Sequence, residues 1–390
     1  MTAALVIAAL SLIIWLYLIL AHGGFWLARE NDDVLLNGAP PAQWPRVAAV
    51  IPARNEADML PLSLPTLSAQ DYPGEFAIFL VDDQSEDGTA SIAQKLGQNS
   101  ARALTVIPGG ERPHGWTGKV WAQQQGIALA TAGATPPDYL LLTDADIGYA
   151  PDALSQLVRR AQANNYVLTS LMAKLACESF AERALVPAFI FFFQMLYPFR
   201  WVNRATFPIA AAAGGCMLVE RAALQRAGGI QSIRGALIDD CALAKVMKRE
   251  GAIWLGLTER VHSLRPYPHF NDIRHMVSRS AYAQLHFSPL LLAGTIAGLA
   301  LTYLAAPVLA IFAQYPANMI AAVAWALMAL SFQPTLRRYG RSALWGLALP
   351  GIALVYLVFT VDSAYQHGRG RGGMWKGRAQ ANVTTKREAE

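Results

Sequence analysis

Val47-Ala48-Ala49-Val50-Ile51-Pro52-Ala53-Arg54-Asn55-Glu56 opens the part of the chain that decides its fold. Five apolar residues ended by a proline read as a buried strand of a parallel sheet, where both faces are covered and no alternation is needed. Helical spacing follows over 56–69, and the pattern then repeats. Residues 76–81 read as a strand ended by Asp82-Asp83, and 85–97 as a helix with Ser, Asp and Thr at its start. A strand at 104–107, a helix at 119–131, a strand at 139–143 ended by Asp144, and a helix at 151–164 complete the series. Strands alternating with helices predict an α/β domain with a mostly parallel sheet covered on both faces, placed at 44–270. Such folds bind ligands beyond the carboxyl ends of their strands, where the polar residues of these segments fall.

Four clusters there carry chemistry. Pro52, Arg54 and Glu56 lie on the first strand-to-helix turn. Val81-Asp82-Asp83-Gln84-Ser85-Glu86-Asp87-Gly88-Thr89 follows the second strand. Ser85 and Asp87 are of capping type, but two adjacent carboxylates repel each other and exceed what a cap needs. Asp82 and Asp83 are therefore candidates to accept hydrogen bonds from a base or ribose. In Thr143-Asp144-Ala145-Asp146, alternate carboxylates at a strand end can share one hard cation. Mg²⁺ takes one or two protein carboxylates and completes its shell with water and phosphate oxygens. Asp239-Asp240 stand ahead of helical spacing at 243–249. Favourable placement at a helix N-terminus is one reading of that pair, and a general base is the other. Lys119, behind Gly118 near a helix start, is placed to meet a diphosphate; an ordinary surface lysine is the alternative.

The rest of the chain is unusually apolar. Of 390 residues 54% are hydrophobic and 15% charged, against about 25% charged in soluble domains. This excludes a disordered protein or a disulfide mini-protein and argues against a wholly soluble enzyme. A net charge of +5 is too small and scattered for a nucleic-acid footprint. Cys177, Cys216 and Cys241 fit neither a disulfide framework nor a zinc site. Residues 1–28 contain no charged side chain, and no Lys or Arg precedes Arg29, which favours a retained membrane anchor over a cleaved signal. No charged residue occurs between Arg279 and Arg337, so a C-terminal membrane block is placed at 285–361, with spans at 288–312 and 317–333. The third apolar stretch, 343–361, is interrupted by Pro350-Gly351. Arg29 and Arg46 after the first span place the middle region in the cytoplasm, facing the inner membrane, by the distribution of Lys and Arg. Keeping the basic tail at 362–390 on that side predicts a re-entrant hairpin at 343–361, hinged at Pro350-Gly351; a true crossing is the alternative. The aromatic segment 185–201 reads as an interfacial helix at an acceptor entrance, or equally as a core helix.

Taken together, Pro-Ala-Arg-Asn-Glu, Val-Asp-Asp-Gln-Ser-Glu-Asp-Gly-Thr, Gly-Lys-x-Trp-Ala, Asp-Ala-Asp and Asp-Asp resemble the family 2 glycosyltransferases, of GT-A fold. The anchor, His114-Gly115-Trp116-Thr117-Gly118-Lys119 and Trp375-Lys376-Gly377-Arg378 look like the hopene-associated members. The resemblance implies an inverting hexosyl transfer from a nucleotide sugar, a UDP-sugar foremost, to a lipid hydroxyl, with Mg²⁺ or Mn²⁺ as cofactor. Glu56, Asp82 and Asp83, with Pro52 and Arg54, would hold the nucleoside, and Lys119 the diphosphate. Asp144 and Asp146 would face ribose and metal, and Asp240, beside Asp239, would be the base. Processive relatives carry Gln-x-x-Arg-Trp before the last membrane block. Here Ser278-Arg279-Ser280-Ala281-Tyr282 stands there, which favours single transfer and leaves Arg279 as a phosphate ligand. The resemblance extends to enzymes acting on carotenoid, ceramide or polyprenyl lipids. Rivals are weaker: a transporter would want charges in its spans, a Rossmann dehydrogenase lacks its Gly-x-Gly-x-x-Gly, and a catalytically dead scaffold does not need intact acidic clusters.

Overall fold

The structure, a computed structural model, describes residues 3–33, 41–370, 372–375 and 378–379. Arg371, Lys376, Lys386 and Arg387 of the expected basic tail lie outside the described residues. The chain forms two units. One comprises Glu30–Leu175, Val202–Arg265 and the chain from Gly373; the other comprises Met1–Arg29, Ala176–Trp201 and Pro266–Gly372.

The first unit is built on an eight-stranded sheet. Its strands are β1 (Val47–Ala53), β2 (Phe76–Asp82), β3 (Ala103–Pro108), β4 (Tyr139–Thr143), β5 (Ile147–Tyr149), β6 (Leu168–Lys174), β7 (Cys216–Glu220) and β8 (Ile253–Ser263), in the order β3-β2-β1-β4-β7-β6-β8-β5. The first four are parallel, as the alternating pattern predicts. β7 then runs antiparallel to both β4 and β6, β6 and β8 are parallel, and β5 returns antiparallel along β8. Every residue of β1 is buried, the signature of a central strand covered on both faces. In register, Ala53 of β1 stands beside Asp82 of β2, and Val50 beside Leu142 of β4. The carboxylates that follow these strands therefore share one edge of the sheet. The helix Gly118–Ala130 packs on β1 and β2 through Gly126, where a Cβ would come within 2.5 Å of Val50 and 3.1 Å of Val81. This close approach sets Lys119, at the other end of that helix, over the same edge.

The second unit is helical. Among the described residues, five segments are long and apolar enough to cross a membrane: Ala3–Leu20, Phe180–Val202, Pro289–Phe312, Ala317–Arg338 and Trp345–Gly368. Large apolar side chains such as Leu20, Leu290 and Phe312 stay outside its core. Trp15 anchors the packing. Its ring stands edge-on to Tyr303, and its indole N–H donates to the carbonyl of Thr302 at 2.8 Å, inside a π-helical turn at Ala300–Leu304. The aromatic segment begins as a helix at Phe180 under a capping box: the Ser179 hydroxyl accepts from the Glu182 N–H, and the Glu182 carboxylate accepts from the Ser179 N–H. Its inner face carries Leu185, Ile190 and Phe191 into the core of this unit. The hairpin expected at Pro350-Gly351 does not form. The helix Trp345–Gly368 runs unbroken through Pro350 and past residue 361, so a tail begins only at Arg369. Pro350 lies in the sixth position of this helix, where the loss of its N–H costs one hydrogen bond of the opening turns and leaves the downstream ladder intact.

Candidate active site

The sheet edge gathers two linked groups of charges. In one, the Lys119 ammonium lies 2.8 Å from Asp144 Oδ1 and 3.2 Å from Asp239 Oδ2. In the other, the Arg265 guanidinium donates to Asp146 at 3.0 Å and to Glu56. Asp144 and Asp146, two residues apart beyond β4, face different cations: an extended segment would put both on one face, and the turn at 145–146 separates them.

Asp239 and Asp240 form the first turn of the helix Asp239–Glu250, where the helix dipole favours negative charge. Asp240 Oδ2 accepts the Gly214 N–H at 2.9 Å, and Oδ1 accepts the Cys241 N–H at 2.7 Å. Burial and the charge of Asp239 push the Asp240 carboxyl up to about 6, against the pull of Lys119 and both N–H groups. Burial likewise raises Asp144, again against Lys119. Burial alone would lower Lys119, but Asp144 and Asp239 overrule it, so its ammonium keeps its proton. Lys119 pairs with carboxylates from two distant segments, Asp144 and Asp239.

The turns after β1 and β2 are tied to each other. Asn55 and Gln84 both adopt left-handed backbone, at φ 51° and 54°. The Asn55 N–H donates to the Ser85 hydroxyl at 2.9 Å, and the Glu86 N–H donates to Asn55 Oδ1 at 2.9 Å. Arg54 is buried and donates to the carbonyls of Asp83 and Gln84, at 2.5 and 3.0 Å. It therefore shapes the loop that carries the acids. Asp87 accepts from the Thr89 and Ala57 N–H groups, while the N-cap of the helix Thr89–Gln98 is Gly88. Asp82 Oδ1 lies 3.3 Å from the Ser85 N–H, Asp83 is buried, and Pro52 stands inside β1 beside Val81. Arg279 belongs to the helical unit, as the C-cap of the helix Phe270–Ser278.

Two contributors escape a reading of the sequence. Arg265 ends the stretch after β8, far along the chain from both its partners. Gly214 leaves room for the site: a Cβ there would lie 3.2 Å from Lys119 Nζ and 3.3 Å from Asp240 Oδ2. An Ala-Ala-Ala-Gly-Gly run ahead of β7 is the one local sign of such a close approach.

The donor set suits a hard divalent cation. Asp144 and Asp146 offer carboxylate oxygens, and the Asp144 side chain is 36% open to solvent. Among the described residues no three His, Cys, Asp or Glu side chains converge into a closed cage. Water and phosphate oxygens would complete the shell, as is usual for Mg²⁺.

Residues 48–228 match the family described as Glycosyl transferase family 2. The matched stretch, a little under half of the chain, resembles a family 2 glycosyltransferase domain. A beta-monoglucosyldiacylglycerol synthase of Synechocystis sp. is 30% identical to it over 145 residues, covering 36% of this chain and 30% of that protein. A 4,4'-diaponeurosporenoate glycosyltransferase of Staphylococcus haemolyticus is 34% identical over 120 residues, 30% of this chain and 29% of that protein. The match thus spans under a third of either relative's length. A mannosyltransferase of Pyrobaculum calidifontis, solved with GDP-Man and Mn²⁺, shares the fold over 93% of this chain and 99% of its own, at 20% identity and a TM-score of 0.52. The glycosyltransferase domain has the GT-A fold, a mixed, mostly parallel sheet.

Proposed function

We propose that the protein transfers one sugar from a nucleotide-sugar donor to a hydroxyl of a lipid acceptor, with inversion at the anomeric carbon. The observation that carries this reading is the meeting of Asp144 and Asp239 on Lys119, with Asp240 beside them, at the carboxyl edge of the parallel strands. Glu56, Asp82 and Asp83 border the nucleoside end of that edge, on loops fixed by Arg54. Asp144 and Asp146 would hold a Mg²⁺ or Mn²⁺ ion, which neutralises charge on a leaving nucleoside diphosphate when bound. Asp240 takes the proton of the acceptor hydroxyl as its oxygen attacks the anomeric carbon. A carboxyl near 6 is ionised at neutral pH and still basic enough to assist. Lys119 holds Asp239 beside it and limits how far the site's negative charge raises it.

A lipid acceptor accounts for the apolar helices and agrees with the lipid-named relatives. The resemblance of His114–Lys119 and of the Trp375–Arg378 motif points to a hopanoid among such lipids. The segment Phe180–Val202 is better read as interfacial than as a span. β6 before it and β7 after it pair in one sheet, so one crossing would divide that sheet between two sides of a bilayer. The same reasoning bears on the C-terminal helices. A Cβ at Gly373 would lie 3.1 Å from the Leu237 side chain, so the chain returns to the sheet's side and crosses an even number of times between Arg265 and Gly373. Arg29 and Arg46 after the first span favour the cytoplasmic face of the inner membrane for the α/β domain.

The test is incubation of the membrane-embedded protein with a panel of nucleotide sugars and extracted lipids, with and without Mn²⁺ or Mg²⁺. A new glycolipid, with one equivalent of nucleoside diphosphate released, is expected. Donor hydrolysis without any glycosylated lipid would refute the acceptor assignment.

A further inference from the structure

Arg265 lies two residues beyond β8, directly before Pro266. Its guanidinium is divided among acids from separate segments. Nε donates to Asp146 Oδ2 at 3.0 Å, one terminal nitrogen donates to Glu56 Oε2, and the other lies 3.9 Å from Asp58. The backbone beside it is fixed as well: the Leu264 N–H donates to the Asp146 carbonyl at 2.8 Å, and Ser263 pairs with Ile147. The side chain can therefore swing, but its attachment point cannot leave. It is 24% exposed, and the Asp146 side chain 17%. A planar fork of donors bridges two carboxylates in a fixed geometry, which the rotatable ammonium of a lysine does not impose. Burial works against the charge on Arg265, yet Glu56 and Asp146 more than offset it.

We propose that Arg265 is the resident counter-ion of this acid cluster, and that a divalent cation must displace it from Asp146 in order to bind. The proposal rests on the reading that assigns Asp146 to the cation. A guanidinium and a divalent cation repel each other, so one carboxylate oxygen does not serve both at close range. Displacement is local, because Glu56 and Asp58 retain the guanidinium once Asp146 is given up. In the absence of a nucleotide the cation therefore binds weakly. A donor's diphosphate changes that balance by bringing anionic oxygens of its own. Arg265 is in this sense a positioning residue that makes cation binding depend on the donor.

The experiment is titration of the full-length, detergent-solubilised protein with Mn²⁺ alone, followed by electron paramagnetic resonance of the free ion. Arg265→Gln is expected to bind Mn²⁺ at least tenfold more tightly than wild type. Arg265→Lys, which keeps the charge but loses the fork, should fall between them, and it decides the matter if Arg265→Gln does not fold. A purely structural role for Arg265 would not tighten the binding of an ion. Equal or weaker Mn²⁺ affinity in the variants overturns the proposal while leaving the transfer reading intact. Asp146→Asn should abolish binding in both the wild-type and Arg265→Gln backgrounds. If it does not, the assignment of Asp146 to the cation fails, and the proposal fails with it.

Discussion

Replacing Lys119 by methionine keeps most of the side-chain volume and removes the charge that joins two segments. The ammonium lies 2.8 Å from Asp144 and 3.2 Å from Asp239, on a side chain 13% exposed. At an effective dielectric constant near 20, those separations correspond to gross attractions of about 6 and about 5 kcal/mol. Desolvation cancels much of this, and breaking a buried pair from one side costs about 3–5 kcal/mol. Asp144 is partly open to water, which moves the expectation to the lower end, about 3 kcal/mol. For a cooperative unit of this size, that is a fall in Tm of roughly 6–12 °C. A second effect separates charge from packing. Lys119 pulls the Asp240 carboxyl down, so its loss should carry that group above its present value of about 6. The base must be ionised to act, so the acid limb of kcat/KM should move to higher pH. Thermal unfolding and a pH–rate profile between pH 5 and 9 measure both consequences. A Tm within about 2 °C of wild type together with an unmoved acid limb would refute the role given to Lys119.

Asp240→Asn should lose about 10²–10⁴-fold in turnover with donor binding largely kept, checked by initial rates and by nucleotide titration. The Asp240 carboxyl titrates above its ordinary value of 3.8, so the folded state binds its proton more tightly than the unfolded chain, and its contribution to stability is lost as pH rises from about 4 to about 6. Asp240→Asn should therefore be at least as stable as wild type at pH 8, which chemical denaturation would test. Gly214→Ala should lower turnover at least tenfold with the fold intact by circular dichroism, because its methyl group meets both Lys119 and Asp240. Arg54→Met should weaken nucleotide binding and cost about 2–3 kcal/mol, since the carbonyls of Asp83 and Gln84 lose a charged donor; a calorimetric titration and a melting curve read the two effects.

Much of the α/β domain is written in local pattern. Tyr139–Thr143 is a strand with the expected bounds, and β1, β2 and β3 extend by only a residue or two beyond their apolar runs. The helix expected from Glu56 begins at Leu60, because left-handed Asn55 and the turn after it delay the first helical bond, and Pro61 then fits the opening turn. The antiparallel placing of β7 was not legible, since a short buried apolar strand carries no mark of its direction. Nor was the continuity of Trp345–Gly368: a proline near a helix start and a hinge look alike in sequence. At the site, the acids were legible because adjacent or alternate carboxylates recur in several clusters, two of them directly after strands. Their counter-ions were harder. Arg265 reaches partners 119 and 209 residues away, and no local spacing encodes such contacts. The helix position of Lys119 is visible in sequence, but its ion pairs with Asp144 and Asp239 are not.

Mass analysis of lipids from membranes that contain either the wild-type protein or Asp240→Asn tests the account most directly. The account predicts a lipid heavier by a single sugar residue in the first sample and its absence from the second. The same glycolipid in both, or a ladder of lengthening oligosaccharides, would contradict it.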